Sequence, residues 1–453
     1  MLGSLARSWF GDFSREELKK FLKLGVIFAF VIGVYWTLRP LKDSIFSSMV
    51  HADNQPWAKL VSLVALFPLV ALYSKLVDKV ERQKLFYILG AIYAVATFAF
   101  GVLFMHPTIG LANTTIDATR ITAWVWYVFV ESYGSLVVAL FWAFATDTVS
   151  PESAKRGFPL VVMIGQLGSI LGPKFLTPLG KNFFGTSAPV VMICGVLILC
   201  MMVSIYLFMM TTPRSQLSGF HGRNEKQVEA EHEPGFFEGL RLMLREPYLL
   251  GIFAVISVYE IIITIIDFHF KSLVFSSFST EAERSFYLGD YAVWVNVVSF
   301  LCLALGVSNI QRRLGIRVSL AMMPFVVLAM VVSFWTYPVV QTLFWIMVFA
   351  KAVNYALNGP ALKQLYVPTT KEVRYKSQAW IETFGSRSSK ATGSGFNLLK
   401  KPFQGWFGPV DGLAYLIALG AYLSIGLIGA WLLVALYLGK TYERAVEQDR
   451  LVC

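Results

Sequence analysis

Charge is what this chain has least of. Only 15% of its 453 residues are Asp, Glu, Lys or Arg, while 56% are hydrophobic. Soluble domains carry about 25% charged residues, so a soluble globular protein is excluded, and the mean hydropathy of +0.61 agrees. Cysteine is scarce too. Cys194, Cys200 and Cys302 lie in apolar runs and Cys453 ends the chain, with no CxxC, so no disulfide framework is indicated. The five histidines are scattered, and no Cys/His spacing suits zinc, so neither a metal nor a cofactor is expected. No nucleophile–base arrangement stands out either, which argues against an enzyme.

Acidic residues number 28 against 39 basic ones, a net charge of +11. In a soluble protein that excess would suggest nucleic acid. Here the basic residues sit in short loops between apolar runs, where the positive-inside rule explains them without a nucleic-acid partner. A secretory signal is also lacking. Residues 11–23 are mixed in charge, with Asp12, Glu16 and Glu17, and read as a short amphipathic surface helix. An organellar transit peptide would be poor in acids, so a bacterial inner membrane is the expected location.

What the chain has instead is apolar runs of about 20 residues, the length that spans a bilayer. Clear runs fall near 22–48, 57–77, 84–105, 121–146, 188–211, 247–275, 286–310, 316–336, 339–358 and 411–438. Two more, near 158–178 and 378–399, are rich in Gly, Ser and Lys and stand fifth in each half. Such helices are tolerated where they pack closely or line a cavity, and Gly168-x-x-x-Gly172 is a close-packing signal. Gly393-x-Gly395 has no strand before it and is no dinucleotide fingerprint.

Twelve spans put both termini on one side. Lys and Arg cluster before span one (Arg15, Lys19, Lys20, Lys23) and after spans two (Lys75, Lys79, Arg82, Lys84), four (Lys155, Arg156) and six (Arg214, Arg223, Lys226). They cluster again after spans eight (Arg312, Arg313, Arg317), ten (Lys371, Arg374, Lys376) and twelve (Lys440, Arg444, Arg450). That side is expected to be cytoplasmic. The expected domains are a six-helix bundle over 1–211, a solvated cytoplasmic linker over 212–246, and a second six-helix bundle over 247–453. Ser74-Lys75-Leu76-Val77-Asp78 with Arg82 resembles the loop signature of the major facilitator superfamily, and Arg313-Leu314-Gly315-Ile316-Arg317 is its second-half echo. The expected fold class is thus an all-α membrane protein of that superfamily.

Charges within spans are expensive and mark paths for ions or substrate. Span one closes on Arg39, Lys42 and Asp43, around Pro40. Arg39 and Asp43 are four apart and can pair, with Asp43 pointing away from Lys42. Lys42 then either faces a wet cavity and awaits an anion, or snorkels to the headgroups. Lys42-Asp-Ser-Ile-Phe46-Ser-Ser recurs as Lys271-Ser-Leu-Val-Phe275-Ser-Ser at the end of the second half's first run. Such a repeat is typical of transporters built from duplicated bundles and favours the first reading.

Span four carries Glu131 and Tyr127; span seven carries Glu260, Asp267 and Lys271 near one face. Asp267 and Lys271 can neutralise each other. Span ten carries a stripe of Lys351, Asn354 and Asn358. Its amides, with Tyr127, are candidates for base or ribose contacts, or are glue between helices. Span eleven places Glu382, Ser386 and Lys390 on one face, with Arg387 beside them, and suits an anion pathway.

These residues carry a resemblance. Leu38-Arg39-x-x-Lys42-Asp43, Glu131-x-x-Gly134-Ser135 with Phe141-Trp142, and Asp267-x-x-Phe270-Lys271-Ser272 with Leu288-Gly289-Asp290 are its first blocks. Asn354-Tyr355, Gln364-Leu365-Tyr366-x-Pro368, Ile381-Glu382 and Lys390 complete it. Over nearly the whole membrane region the chain resembles the nucleotide transporters of obligate intracellular bacteria and plastids, the ATP/ADP translocases that exchange NTP for NDP. The family's functional charges fall on Lys42, Glu131, Asp267 (usually glutamate) and Lys390.

The resemblance implies exchange of ATP for ADP, and nucleotide substrates that can include other NTPs. Lys42 and Lys390 would bind phosphate oxygens, supported by Arg39, Lys271 and Arg387. Glu131, Asp267, Glu260 and Glu382 would be their charge partners. Besides nucleotide and bilayer no partner is implied, and a monomer is expected. The alternative is a proton-coupled symporter of nucleotides or other phosphorylated metabolites on the same fold, with Glu131, Glu260 or Asp267 as proton carrier.

Overall fold

Apolar runs in a bilayer must satisfy their backbone groups internally, which leaves helices as the natural answer for this composition. The computed structural model describes residues 14–149, 151–213, 236–304, 307–370, 377–378, 380–448 and 450–452. Among these there is no strand. The helices are α1 (Arg15–Val50), α2 (Gln55–Lys79), α3 (Arg82–Met105), α4 (Ile121–Asp147), α5 (Pro151–Leu179), α6 (Ala188–Thr211), α7 (Phe236–Arg245) and α8 (Pro247–Ser277). The second half continues with α9 (Glu281–Ala304), α10 (Val307–Thr336), α11 (Val340–Val353), α12 (Gly359–Leu365), α13 (Ser386–Asn397), α14 (Lys400–Phe407) and α15 (Pro409–Glu447). Among the described residues ten helices are long and apolar enough to cross a membrane. The two expected spans outside that set are 57–77, which falls in α2, and 378–399, which is broken into a π turn (Ile381–Gly385) and α13.

The chain folds as two compact units: Met1–Asn54 with Val64–Val228 and Phe278–Asn296, and Gln55–Leu63 with Glu229–Ser277 and Val297–Cys453. In the first, α1 lies on α5 with backbones in close approach. A side chain at Gly33 would meet the Gly168 carbonyl at 3.0 Å, and one at Gly172 the Gly33 carbonyl at 2.6 Å. In the second, α8 lies on α13, and a side chain at Gly393 would meet the Ile261 carbonyl at 2.8 Å. The glycines of the two polar fifth spans therefore serve close packing against the first helix of each half. Outward sides stay apolar: Val64, Val95, Ile121 and Leu433 are each about 70% exposed, as lipid-facing residues should be.

The structure corrects three expectations. Residues 14–23 are not a separate surface helix. Ser14 caps α1 by accepting the Glu17 N–H (3.1 Å), and Glu16 and Glu17 fill the first turn of one helix that runs unbroken to Val50. Residues before 14 lie outside the described set. The 212–246 segment is not all solvated connector, because Phe236–Arg245 form α7 directly before α8. Leu, Met and Phe recur there at helical spacing, with Met243 buried. Its residues 214–235, with Arg214, Arg223 and Lys226, lie outside the described set. The stretch after span eight is helical rather than a loop, broken only at Gly315, whose φ of 80° suits glycine. The side chains of Asp78, Arg82 and Arg313, which carry the loop signature, and residues Lys371, Arg374 and Lys376 also fall outside the described set.

Between α3 and α4 the loop is tied by one cation. Arg120 donates to the carbonyls of Ile109 (2.7 Å), Gly110 (2.6 Å), Asn113 (2.9 Å) and Thr115 (3.0 Å). The Thr119 N–H donates to Asp117 (2.8 Å) and holds its carboxyl below the usual range. The Asp117 N–H reaches the Met49 carbonyl (3.0 Å), joining this loop to the end of α1.

Candidate substrate site

In the first unit the charges gather around Lys42. Burial to 4% makes an unpaired ammonium untenable there. Its Nζ pairs with the Glu131 carboxylate on α4, lies 3.6 Å from Asp43 and sits 4.2 Å from the centroid of the Tyr127 ring. Asp43 therefore does not point away from Lys42 as expected. On the last helical turns of α1 the long lysine side chain can fold back to its own neighbour. Tyr127 is fully buried, with one face under Lys42 and Phe46 edge-on at 5.2 Å, so its ring is a cation–π partner. Arg39 stacks over Trp36 (4.9 Å) and Tyr35 (5.6 Å). Gly134 leaves room for the Tyr35 ring, which a Cβ there would strike. Phe141 and Trp142 of the same block pack on Phe28 at 4.6 and 5.1 Å and serve the core.

In the second unit the charges gather around Asp267, 7% exposed on α8. The expected pair with Lys271 is present at 2.7 Å. Two further lysines join it: Lys351 from α11 at 2.9 Å and Lys59 from the first turns of α2 at 3.8 Å. Nothing in the sequence around Lys59 separates it from a lysine at a helix start. Lys351 stood out as polar on an apolar helix, but its partner is 84 residues away.

Two stripes read at a 3.6-residue period come apart in the structure. Asn354 and Asn358 still meet each other, while Lys351 turns to another partner. A π turn over Asn354–Asn358 widens the helix there and shifts the succeeding turn by about a residue. Lys351 goes to Asp267, while the buried Asn358 amide donates to the Asn354 side chain (2.8 Å). Likewise a π turn over Ile381–Gly385 separates Glu382 from its expected companions. Glu382 pairs with Lys363 of α12 and accepts from Gln378 (2.9 Å). Ser386 (2.9 Å) and Lys390 (3.4 Å) turn instead to Glu260 on α8. Arg387 is half-buried beside them on α13, and Lys390 is half-exposed.

Lysines in both units are held by carboxylates in ion pairs and hydrogen bonds. Together with the long apolar helices, such buried paired charges mark a membrane protein with a polar interior. A variant of the nucleoside transporter NupG shares the fold, with TM-score 0.64 and 13% identity over 92% of this chain and 99% of that one. A bacterial homologue of the iron transporter ferroportin matches at TM-score 0.62, with 13% identity over 94% of this chain and 100% of the other.

The chain belongs to the TLC ATP/ADP transporter family, whose pattern matches residues 4–442. It is 24% identical over 444 residues to ADP,ATP carrier protein 4 of Rickettsia felis, covering 84% of each chain. It is 22% identical over 481 residues to the chloroplastic ADP,ATP carrier protein 2 of Arabidopsis thaliana, covering 96% of this chain and 76% of that one. It is accordingly a nucleotide-exchange transporter and not an enzyme.

Proposed function

We propose that the chain exchanges ATP for ADP across a bacterial inner membrane, as a monomer with both termini in the cytoplasm. Lys42 and Lys390 bind phosphate oxygens, and Arg39, Lys271 and Arg387 support them. Glu131 and Glu260 hold the two lysines when no nucleotide is bound, and Asp267 and Glu382 hold their neighbours. The observation that carries this reading is the pairing of Lys42 with Glu131 and of Lys390 with Glu260. An ammonium as buried as that of Lys42 is strongly disfavoured without a counter-charge. A carboxylate that takes the place of phosphate removes that penalty in the empty protein, and both nucleotides can then enter and leave the same site. These pairs support exchange, because they balance charge without a bound proton, and membership of the ATP/ADP transporter family supports it too.

Uptake of labelled ATP into proteoliposomes tests this. Vesicles preloaded with ADP should accumulate label, and a protonophore should not change the rate. Uptake into empty vesicles that collapses with the proton gradient would overturn the exchange reading.

A further inference from the structure

α14 (Lys400–Phe407) buries none of its residues. Its eight residues rise about 12 Å against a hydrocarbon core of about 30 Å, so α14 cannot cross a bilayer. The sequence divides cleanly around its axis. At about 100° per residue, Pro402, Phe403, Trp406 and Phe407 share one side, and Lys400, Lys401, Gln404 and Gly405 share the other. Trp406 is 70% exposed and Phe407 49%. Phe407 packs on Phe403 (5.8 Å) and on Tyr415 of α15 (5.1 Å), and Val410 and Tyr415 carry the exposed apolar side onto α15. The helix is fixed to the start of α15. Gly408 turns at φ 88°, a side chain at Gly412 would strike the Phe403 carbonyl, and the Gln404 amide donates to the Pro409 carbonyl (3.1 Å). α15 runs on to Glu447, so α14 lies at the membrane face away from the C-terminus. The first half repeats the pattern in brief. Lys181-Asn182-Phe183-Phe184-Gly185 follows α5, with Phe183 79% exposed and Gly185 at φ 70°. Each half thus follows its fifth span with a lysine, an exposed aromatic pair and a left-handed glycine.

We propose that α14 is an interfacial helix that binds anionic phospholipid. Trp406 and Phe407 enter the boundary between headgroups and acyl chains, where aromatic rings are favoured, and Lys400 and Lys401 meet the headgroup phosphate. The charge is complementary, because residues 383–410 hold no Asp or Glu. Lys401 is exposed, and Lys400 is half-buried over the Phe268 ring (5.6 Å). An ammonium has three donors, so each lysine serves a lipid phosphate alongside the contacts it makes within the protein. The apolar side of α14 is continuous with the lipid-facing side of α15, so one bilayer covers both. Anchored in this way, α14 sets the depth at which α15 begins.

The test uses the full-length protein in nanodiscs of phosphatidylcholine with and without phosphatidylglycerol. Trp406 is one of 12 tryptophans, so its fluorescence is read as the difference between wild type and Trp406→Phe. Lipids brominated near the headgroup should quench that difference more than lipids brominated near the chain end, and more than aqueous iodide. Native mass spectrometry of the wild type should retain phosphatidylglycerol in preference to phosphatidylcholine. The double variant Lys400→Gln with Lys401→Gln should weaken that retention by roughly tenfold or more, at about fivefold for each lysine. Lys400→Arg with Lys401→Arg keeps the charge and should keep the preference. Inorganic phosphate should not displace the lipid. Quenching of Trp406 by iodide alone, equal retention of the two lipids by the wild type, or displacement by inorganic phosphate would overturn the proposal. So would a Trp406 shielded from both lipid and iodide in a protein that cross-links as a dimer, which would put a second copy of the chain on this face.

Discussion

At the scale of the residue, Lys42 serves two ends. Asp43 and Glu131 both approach it, so Lys42→Gln takes a counter-charge from each. Glu131 is 37% exposed, and water screens part of that loss, so a destabilisation of about 1–3 kcal/mol is expected rather than the full cost of a buried orphan. ATP affinity should fall by roughly ten- to a hundredfold. The doubly swapped variant Lys42→Glu with Glu131→Lys separates the two effects. It should recover the melting temperature in detergent but not ATP binding; recovery of both would make Lys42 purely structural. Much of this was legible in the sequence, because Arg39, Lys42, Glu131 and Asp267 are conspicuous on apolar runs. The sequence could not reveal which carboxylate each lysine chooses. Asp43 was expected to turn away and does not, and Lys59 was hidden because a lysine in the first turns of a helix is ordinary.

At the scale of the element, glycine and the π turn decide which faces meet. Gly168 on α5 would place a Cβ within 2.7 Å of the Ala29 Cα of α1, where backbone cannot yield. Gly168→Val should therefore lower stability by several kcal/mol, at or above the usual 1–3 kcal/mol of overpacking, and an unchanged melting temperature would contradict the α1–α5 packing. This interface was readable from Gly168-x-x-x-Gly172. The π turns at Asn354–Asn358 and Ile381–Gly385 were not, because a hydrophobic pattern read at 3.6 residues per turn carries no sign of an inserted residue. They explain why Glu382 and Lys390, eight positions apart, reach different partners. Arg120 tests the loop between α3 and α4. Arg120→Ala removes donors from four carbonyls at once, and limited proteolysis should cut residues 106–119 faster than in the parent; an equal rate would show that the loop is held by other contacts.

At the scale of the whole molecule, the two halves of the sequence use the same device with the sign reversed. The first long helix of each half pairs with the fourth: Lys42 of α1 with Glu131 of α4, and Asp267 of α8 with Lys351 of α11. The repeat of Lys-x-x-x-Phe-Ser-Ser aligned Lys42 with Lys271 and exposed the duplication, but it hid this reversal, since Lys271 pairs within its own helix. Spacing of apolar runs was enough to give the helical class and most helix positions. Side of the membrane is a matter of loop charge, and it predicts that a cysteine introduced at Gln448, with the native cysteines replaced, stays unlabelled by an impermeant thiol reagent in intact cells. Ready labelling from outside would reverse the orientation. The central claim, that nucleotide moves only against nucleotide, is tested most directly by counting both at once. Proteoliposomes loaded with one radiolabel on ADP and supplied with another on ATP should release one ADP for each ATP that enters, at every time point. ATP entering without ADP leaving would contradict the account.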